Sequence, residues 1–259
     1  MSESVLYSQD GHVVTITYNR PERLNAIDGE MRQALNAAWQ QFYEDPEAWV
    51  AIFTGSGRAF CAGADIKDTS GGSAGTWPGT FWEKPTVNSF ESGLELWKPT
   101  IAAVNGPCLG YAVTAVSFAD FVIASETATF GFPEVRIGVP TIVGAIRMPA
   151  RLSWEHAMEL LLIGESVDAH RAAEMGLAGR VVPAEELMTT AQDLAAKLCK
   201  SAPLAVRTTK EVAVRSREMP WIEAVRFGET MRKVAQQTED AGEGMRAARE
   251  KRQPTWKGR

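Results

Sequence analysis

The amino-acid sequence predicts an α/β protein that carries a helical C-terminal extension. Between residues 5 and 131, short apolar runs typical of buried strands alternate with stretches whose apolar residues recur at helical spacing. Beyond Pro149 the pattern changes, and helical stretches follow one another. Strands separated by helices, followed by a run of helices, are typical of an α/β core with a helical appendage. We therefore expect a core over residues 1–200 and a helical region over residues 201–259.

Turn and cap residues delimit the elements of the core. Asp10-Gly11 predicts a hairpin turn between strands at residues 5–7 and 13–18. Asp28 is suited to cap a following helix, whose apolar residues share one face. Further strands are expected at residues 49–54, 100–104, 121–124 and 128–131, and a further helix at residues 109–118.

The later helices are marked by caps and prolines. Ser153 is suited to cap a helix over residues 154–163, and Asp168 a short helix that ends at Gly176. Prolines at the first turn of a helix and a capping threonine mark the remaining helices: Pro183, Pro203, Pro220 and Thr238.

Composition and charge narrow the class of protein. Apolar residues make up 45% of the 259 residues and charged residues 23%, as in ordinary globular proteins. The net charge of −5 disfavours a nucleic-acid partner, including RNA, although a few basic residues cluster near the C-terminus. No signal peptide is evident, and no apolar run approaches the roughly 20 residues that cross a membrane. We expect a cytoplasmic protein with no membrane partner.

Cysteine and histidine usage predicts no metal site. Cys61, Cys108 and Cys199 form an odd set without the spacing of metal ligands, as expected in a reducing compartment. The three histidines are scattered along the chain. For the two cysteines that lie in small-residue turns, Cys61 and Cys108, packing is favoured over nucleophilic chemistry.

Two small-residue turns are candidates for binding a developing negative charge. One follows the strand-like residues before Gly63-Ala64, and the other is Gly110-Tyr111, where a strand enters a helix. Backbone N–H groups at such turns and at helix N-termini are unpaired donors and suit an oxyanion. Thr114 lies three residues after Tyr111 and therefore on the same helix face. Glycine-rich turns alone are weak evidence, because most are simply tight turns.

Glu134 is the one obvious acid–base residue near these turns. It follows Phe130-Gly131-Phe132-Pro133 and precedes Val135. Apolar surroundings disfavour a charged carboxylate, so we expect the pKa of Glu134 to be raised. A raised pKa would allow this carboxyl to exchange protons near neutral pH.

In these motifs the sequence resembles the crotonase superfamily, also called the enoyl-CoA hydratase/isomerase family. The resemblance implies a spiral core of ββα units, a C-terminal helical trimerisation region, and a homotrimer or a hexamer built as a dimer of trimers. It also implies an acyl-CoA thioester as substrate and no cofactor besides the coenzyme A of that substrate. The matching segments are residues 13–21, 24–26, 60–67, 101–106, 130–134, 172–177, 181–183, 201–205 and 250–257.

The resemblance also implies roles for particular residues. It assigns the two oxyanion N–H groups to Ala64 and Tyr111 and the acid–base role to Glu134. The expected contacts with coenzyme A fall on Arg23, Leu24, Ala62, Ala64, Asp65, Ile66, Lys67 and, from a neighbouring subunit, Lys251. The expected acyl pocket includes Thr114, Trp82, Trp97 and Phe132.

The sequence departs from the family pattern at three places. Hydratases of the family use two glutamates, but the first of these positions is occupied by Thr114, whose hydroxyl is no base at ordinary pH. Tyr111 replaces a glycine, so its backbone must avoid a positive φ or accept strain. The segment over residues 139–145 is one residue shorter than usual, and Thr141 or Gly144 takes the place of an acid that some isomerases and dehydratases use.

Residues 68–98 predict a long loop rich in glycine, proline and aromatic residues. Loops of this length are uncommon in folded domains and often functional. Two interpretations stay open for it. The loop is either a lid over an apolar substrate or a surface that faces a partner.

Three functional hypotheses follow from the sequence. The favoured one is an enoyl-CoA hydratase/isomerase-type enzyme with Glu134 as its sole acid and base. A Δ3,Δ2-enoyl-CoA isomerase needs no second carboxylate and is the first alternative. A CoA-ester-binding protein that has lost activity is the second alternative, because of Thr114 and Tyr111.

Overall fold

A computed structural model describes residues 3–65, 67, 90 and 94–259. The strands, in chain order, are β1 (Val5–Asp10), β2 (Val13–Tyr18), β3 (Val50–Gly55), β4 (Thr100–Val104), β5 (Cys108–Leu109), β6 (Phe121–Ser125), β7 (Thr129–Gly131), β8 (Val167–Asp168) and β9 (Arg180–Val182). The α-helices are α1 (Gly29–Glu44), α2 (Tyr111–Phe118), α3 (Val143–Arg151), α4 (Trp154–Met158), α5 (Ala169–Glu174), α6 (Leu187–Cys199), α7 (Pro203–Arg215), α8 (Trp221–Ala235) and α9 (Glu239–Glu250).

Within the described ranges, six strands form a large sheet in the order β1-β2-β3-β4-β6-β9. β1 and β2 are the antiparallel hairpin predicted at Asp10-Gly11, and the other neighbouring strands are parallel. β3 and β4 occupy the middle of the sheet and are buried on both faces. This burial explains why both strands read as continuous apolar runs.

Different helices cover the two faces of this sheet. Alternate residues of a strand point to opposite faces, and the buried residues accordingly form two clusters. On one face, Ile16 and Phe53 belong to the same cluster as the apolar stripe of α1, where the Trp39 ring meets Phe53 edge-on at 5.4 Å. On the other face, Ile52 and Ile101 pack with α6.

A smaller sheet connects the core to the glycine-rich turns. Its strands, in the order β5-β7-β8, include the short strand that leads into α2. β5 and β7 are parallel, with Leu109 paired to Gly131. Isolated bridges pair Cys61 with Cys108 and Ile27 with Ala64. The turn at residues 61–64 is therefore fixed beside β5.

The predicted N-caps are confirmed. The side chains of four capping residues each accept a hydrogen bond from the backbone N–H three residues later: Asp28, Ser153, Asp168 and Thr238. The helix expected over residues 154–163 differs in its second half, because α4 ends at Met158 and a wider π-helical turn spans Glu159–Ile163. The short strands β5, β8 and β9 were not predicted, since strands of two or three residues leave little periodicity to read. The helix α3 was not predicted either, because it begins without a side-chain cap and contains Pro149.

Helices α6, α7, α8 and α9 follow the last strand, and the chain after α9 returns to the core. Trp256 packs against the cluster around α6, and its indole N–H donates to the Lys200 carbonyl at 2.8 Å. On α8, Trp221 is 78% exposed, and no residue of that helix is buried. The division at residue 200 and trimerisation through the C-terminal helices stay predictions. In the part of the chain that the structure describes, no helix is long and apolar enough to span a membrane.

Candidate active site

The Glu134 carboxyl lies directly against the backbone of Gly110. A β-carbon built on residue 110 would be 2.4 Å from Glu134 Oε1 and 3.0 Å from its carboxyl carbon. Gly110 also has a φ of +56°, a conformation that favours glycine, and its N–H donates to the Gly131 carbonyl at 2.8 Å. Only glycine combines this φ with the close approach of the carboxyl.

The sequence left open whether Tyr111, in place of a glycine, must adopt a strained positive φ. In the structure the positive φ belongs to Gly110. Tyr111 is the first residue of α2 and is not among the described residues with positive φ. The turn's unusual backbone falls on Gly110 instead. A bulky residue is therefore accommodated at 111 without backbone strain, and its ring lies under the Arg32 guanidinium at 4.8 Å.

The two small-residue turns lie side by side. Gly63 has a φ of +91°, and a β-carbon there would be 2.9 Å from the Leu109 carbonyl oxygen and 3.8 Å from the Tyr111 nitrogen. Leu109 donates its N–H to the Cys61 carbonyl at 2.9 Å, which joins the turns. Among the described residues, no acceptor is found for the backbone N–H of Ala64 or of Tyr111.

Burial raises the pKa of Glu134, as the sequence predicted from its apolar neighbours. Its own backbone N–H and the Thr141 hydroxyl partly oppose this effect. Phe130 and Phe132 are fully buried beside it in the chain, whereas Val135 is partly exposed. Glu134 stands in a 3-10 turn, Pro133–Ile137, and its carbonyl accepts from the Val139 N–H at 3.0 Å. The carboxyl is therefore presented from a fixed backbone.

Thr114 lies in the first turn of α2 and is only 5% exposed. Its N–H donates to the Gly110 carbonyl at 3.1 Å, and its carbonyl accepts from the Ser117 hydroxyl at 2.6 Å. Thr114, which the resemblance matches to the second glutamate of hydratases, thus lies at the same end of α2 as Glu134. It carries no titratable group.

The expected acyl-pocket residues are not all brought together. Phe132 is buried next to Glu134 in the chain, but Trp97 lines a different cavity of about 310 Å³ with Phe118 at the C-terminal end of α2. Arg215 lies over the Trp97 ring at 5.0 Å. Trp82 lies outside the described residues, as does most of the loop predicted over residues 68–98.

The expected coenzyme A contacts cluster around one turn. Ala62 donates its N–H to the Leu24 carbonyl at 2.9 Å, so the segment of Arg23 and Leu24 lies against the segment that follows Cys61. Lys67 is exposed, and its N–H donates to Asp65 Oδ1 at 3.1 Å. Ile66 lies outside the described residues.

The Asp65 carboxylate has a structural partner. It lies 3.6 Å from Arg20, which also pairs with Asp28 at 2.9 Å. This ion pair ties the turn to the start of α1. Lys251 is the C-cap that follows α9, with a φ of +52°, and it is exposed; its expected contact with a neighbouring subunit stays a prediction.

Asn25 is a structural residue to which the sequence alone assigned no role. Its buried side-chain amide donates to the carbonyls of Ser56, Ala59 and Phe60 at 2.9, 2.8 and 3.1 Å. Its Oδ1 accepts from the backbone N–H of Arg20 at 2.8 Å. Its φ of +56° belongs to the left-handed region in which asparagine is enriched. An asparagine is a sequence signal for a left-handed backbone. Its hydrogen-bond partners could not be predicted, because they are far away in sequence.

Burial disfavours the thiolate form of the two cysteines beside the site. Burial raises the pKa of Cys61 to about 12, and it also raises the pKa of Cys108 well above its usual value. This agrees with the packing role that the sequence favoured. In residues 3–65, 67, 90 and 94–259, no cluster of three or more His, Cys, Asp or Glu side chains could hold a metal ion. The expected absence of a cofactor stays a prediction.

Comparison with known proteins identifies the family. The family described as enoyl-CoA hydratase/isomerase matches residues 8–259. A carnitinyl-CoA dehydratase of Salmonella paratyphi A is 38% identical over the full length of both chains.

Solved structures agree with this result. An enoyl-CoA hydratase/isomerase from Mycobacterium paratuberculosis has a TM-score of 0.88 and 38% identity, over 100% of this chain and 99% of that one. An enoyl-CoA hydratase from Mycobacterium tuberculosis H37Rv has a TM-score of 0.88 and 32% identity over the whole of both chains. The chain therefore belongs to the enoyl-CoA hydratase/isomerase family of the crotonase superfamily, and it is an enzyme of the lyase or isomerase type that acts on acyl-CoA thioesters.

Proposed function

We propose that the enzyme interconverts a 3-hydroxyacyl-CoA and the corresponding 2-enoyl-CoA, with Glu134 as its sole acid and base. The observation that carries this proposal is the contact of the Glu134 carboxyl with Gly110, immediately before the N–H of Tyr111. This contact puts a proton-transferring group beside the groups expected to hold the thioester. The similarity to a full-length carnitinyl-CoA dehydratase supports addition or loss of water as the reaction.

The thioester carbonyl oxygen binds to the N–H groups of Ala64 and Tyr111. When a proton leaves C2, negative charge develops on this oxygen, and two fixed donors stabilise the enolate. The N-terminal end of α2 adds its positive dipole. Both turns are fixed by neighbouring strands, so little reorganisation is needed when the charge appears.

Glu134 carries the proton through both halves of the reaction. In dehydration its carboxylate removes the C2 proton, and the electron pair moves into the thioester as an enolate. The pair then returns to form the C2–C3 double bond, and the C3–O bond breaks. The leaving oxygen takes the proton back from Glu134 and departs as water, which leaves the enzyme unchanged. A raised pKa makes both transfers feasible at one carboxyl.

Coenzyme A is proposed to lie along the turn at residues 62–67 and the segment of Arg23 and Leu24. The hydrogen bond between Ala62 and Leu24 makes these two segments one continuous surface. Lys251 is proposed to reach the phosphates of coenzyme A in a neighbouring subunit. Exposed apolar side chains on α8, such as Trp221 and Ile222, support self-association through the C-terminal helices into a trimer or hexamer.

A second candidate function is Δ3,Δ2-enoyl-CoA isomerisation without hydration. It is favoured by the absence of a titratable group at the buried Thr114, where the family resemblance implies a second glutamate. A single carboxyl is sufficient to move a proton between C2 and C4 of an acyl chain. The two candidates share the thioester site and differ in whether water enters the product.

Isotopic labelling separates the candidates. The purified protein is incubated in H₂¹⁸O with a panel of 2-enoyl-, 3-enoyl- and aryl-enoyl-CoA thioesters and with 3-hydroxyacyl-CoA thioesters that include carnitinyl-CoA. Hydration places ¹⁸O in the product, which mass spectrometry detects. An unlabelled product with a shifted double bond would establish isomerisation instead. No turnover of any member of the panel would contradict both functions.

A further inference from the structure

Two buried polar atoms near the proposed site lack hydrogen-bond partners. Glu134 Oε2 and Thr141 Oγ1 are both inaccessible to solvent, and neither bonds to any group among the described residues. Leaving a buried acceptor or hydroxyl unpaired costs free energy, so each such atom in a folded protein requires an explanation. Atoms that bind substrate are a common explanation.

The fold fixes the side chain of Thr141 beside the site. A β-carbon built on Gly144 would lie 2.6 Å from Thr141 Cγ2 and 2.7 Å from Phe132 Cε1. The Thr141 methyl group therefore packs with the Phe132 ring on the bare backbone of Gly144. The threonine rotamer is set by this apolar contact and not by a hydrogen bond of its hydroxyl.

The Thr141 hydroxyl interacts with the Glu134 carboxyl, although neither Thr141 Oγ1 nor Glu134 Oε2 makes a hydrogen bond of regular geometry. The hydroxyl is near enough to lower the pKa of that carboxyl, in opposition to the effect of burial. Glu134 Oε2 nevertheless has no partner. Both atoms therefore keep hydrogen-bonding capacity that a third polar atom can use.

We propose that Thr141 is a substrate-positioning residue, whose hydroxyl together with Glu134 Oε2 holds the oxygen that is added to or removed from C3 of the acyl chain. This inference rests on the proposed hydratase function. It explains how one glutamate can be sufficient where Thr114 supplies no second carboxylate. Thr141 orients the water, and Glu134 alone transfers the proton.

The chemistry of the hydroxyl and the carboxyl fits these two roles, orientation of water by Thr141 and proton transfer by Glu134. A threonine hydroxyl has one donor and two acceptor lone pairs, so it can bind a water or a substrate hydroxyl in either direction. In hydration the water oxygen forms its bond to C3, one of its protons passes to Glu134, and Glu134 delivers that proton to C2. Thr141 gains and loses no proton, so the overall reaction remains balanced.

The inference separates two reactions of the same site. Removing a C2 proton requires Glu134 and the thioester-binding turns, but no oxygen at C3. Adding water requires all of these and the positioned oxygen. Loss of the Thr141 hydroxyl should therefore impair hydration selectively, whereas general damage to the site would impair both reactions.

The test compares Thr141→Val, which keeps the shape but removes the hydroxyl, with Thr141→Ser, which keeps the hydroxyl. The probes are the 2-enoyl-CoA that the wild type hydrates fastest and its saturated acyl-CoA analogue. Hydration is followed by product formation, and C2 proton exchange of the analogue in D₂O is followed by NMR. Thr141→Ala is measured in parallel, in case the valine variant folds poorly.

We expect Thr141→Val to lower kcat/KM for hydration about 10- to 100-fold, as for the loss of one hydrogen bond in a desolvated site. C2 proton exchange should change less than about threefold, and Thr141→Ser, which keeps the hydroxyl but loses the methyl contact with Phe132, should retain clearly more hydration than Thr141→Val. Equal losses of hydration and exchange, or no loss of hydration, would overturn the role of Thr141 while leaving the proposed function intact. A wild type that hydrates no member of the panel would refute the proposed function itself, and the inference with it.

Discussion

Glu134 and Gly110 are in direct contact, with Glu134 Oε1 only 2.4 Å from the position of a β-carbon on residue 110. The pairing of β5 with β7 creates this contact, because Leu109 is opposite Gly131 and the Gly110 N–H donates to the Gly131 carbonyl. Three residues beyond Gly131, the 3-10 turn directs the carboxyl back onto Gly110. The proposed base and the proposed oxyanion turn are thus parts of one small structure.

Gly110→Ala should abolish most of the activity. The added methyl group would occupy the space of the Glu134 carboxyl and force it away from the thioester site, and the φ of +56° adds backbone strain. We expect kcat/KM to fall by at least about 100-fold, since small displacements of reacting groups are costly. Steady-state kinetics on a hydrated substrate of the panel measures the effect.

Gly11→Ala provides the matched control for this substitution. Gly11 has nearly the same φ, +55°, but no atom lies within 4 Å of its added β-carbon. It should lose about 1 kcal/mol of stability from backbone strain alone and keep its activity. If Gly11→Ala and Gly110→Ala were equally active, the contact between Gly110 and Glu134 would have no catalytic importance.

The sequence indicates which residues are candidates for this site, but not how they are arranged. Glu134, Gly110 and the caps such as Asp28 are recognisable because local chemistry determines their residue types. The contact of Glu134 with Gly110 depends on the register of two strands of two and three residues, which no periodicity reveals. For the same reason, the unpaired hydroxyl of Thr141 becomes visible only when α3 packs it beside the carboxyl.

The separation of Trp97 from Glu134 has a similar origin. Trp97 lies just before β4 in the sequence. This position alone does not indicate which end of α2 the Trp97 side chain approaches. The structure puts it with Phe118 and the guanidinium of Arg215, a residue of α7. Contacts between elements so distant in sequence depend on the whole fold.

Glu134→Gln should lower kcat by about 10²- to 10⁴-fold, the usual contribution of a general acid or base. Glutamine keeps the shape and the hydrogen-bonding capacity but cannot accept the C2 proton. Affinity for a saturated acyl-CoA analogue, measured by isothermal titration calorimetry, should change little. Glu165→Gln, at an exposed residue paired with Arg136, is the control and should be fully active. Substantial turnover by Glu134→Gln would remove Glu134 from its proposed role.

The rate of dehydration should fall on the acid side of its pH profile. Removal of the C2 proton requires the ionised carboxylate, and burial raises the pKa of Glu134 above that of an exposed glutamate. The loss of kcat/KM on lowering the pH should therefore begin above the usual range of a glutamate. The Thr141 hydroxyl lowers the pKa of Glu134. Its removal should therefore raise that pKa and move the acid limb of the profile to still higher pH. A profile that stays flat through the weakly acidic range would contradict this assignment.

The stability of the Glu134→Gln variant should depend on pH in a defined direction. A carboxyl whose pKa is raised by folding favours the folded state while it is protonated, and that contribution is lost as the pH rises through the folded-state pKa. At neutral pH the wild type therefore retains a partly desolvated charge that glutamine lacks. We expect the variant to have the higher melting temperature at pH 7 and the difference to shrink toward the pH at which exposed glutamates protonate. Thermal melts across this range, with Glu165→Gln as the exposed control, would show the opposite trend if the native fold favoured the charged form.

Asn25→Ala should destabilise the protein far more than replacement of Asn19, which is only partly buried. The buried amide supplies hydrogen bonds to the carbonyls of Ser56, Ala59 and Phe60, and alanine would remove all three, leaving the Ala59 carbonyl with only a longer bond from Asn105 at 3.3 Å. Leaving buried polar groups unsatisfied costs about 1–3 kcal/mol each, less where a neighbour can rearrange, so we expect a loss of roughly 3 kcal/mol.

Urea unfolding of Asn25→Ala and Asn19→Ala tests this prediction. Asn19 donates a single exposed hydrogen bond, to the Glu3 carbonyl, and its replacement should cost less than about 1 kcal/mol. Asn25 supports the segment that leads to Cys61 and Gly63. The activity of the Asn25 variant should therefore be reduced even at urea concentrations below its unfolding transition. If both variants unfolded at the same urea concentration, the turn would be held by its backbone contacts, such as the bond between Ala62 and Leu24, and the buried amide would be dispensable.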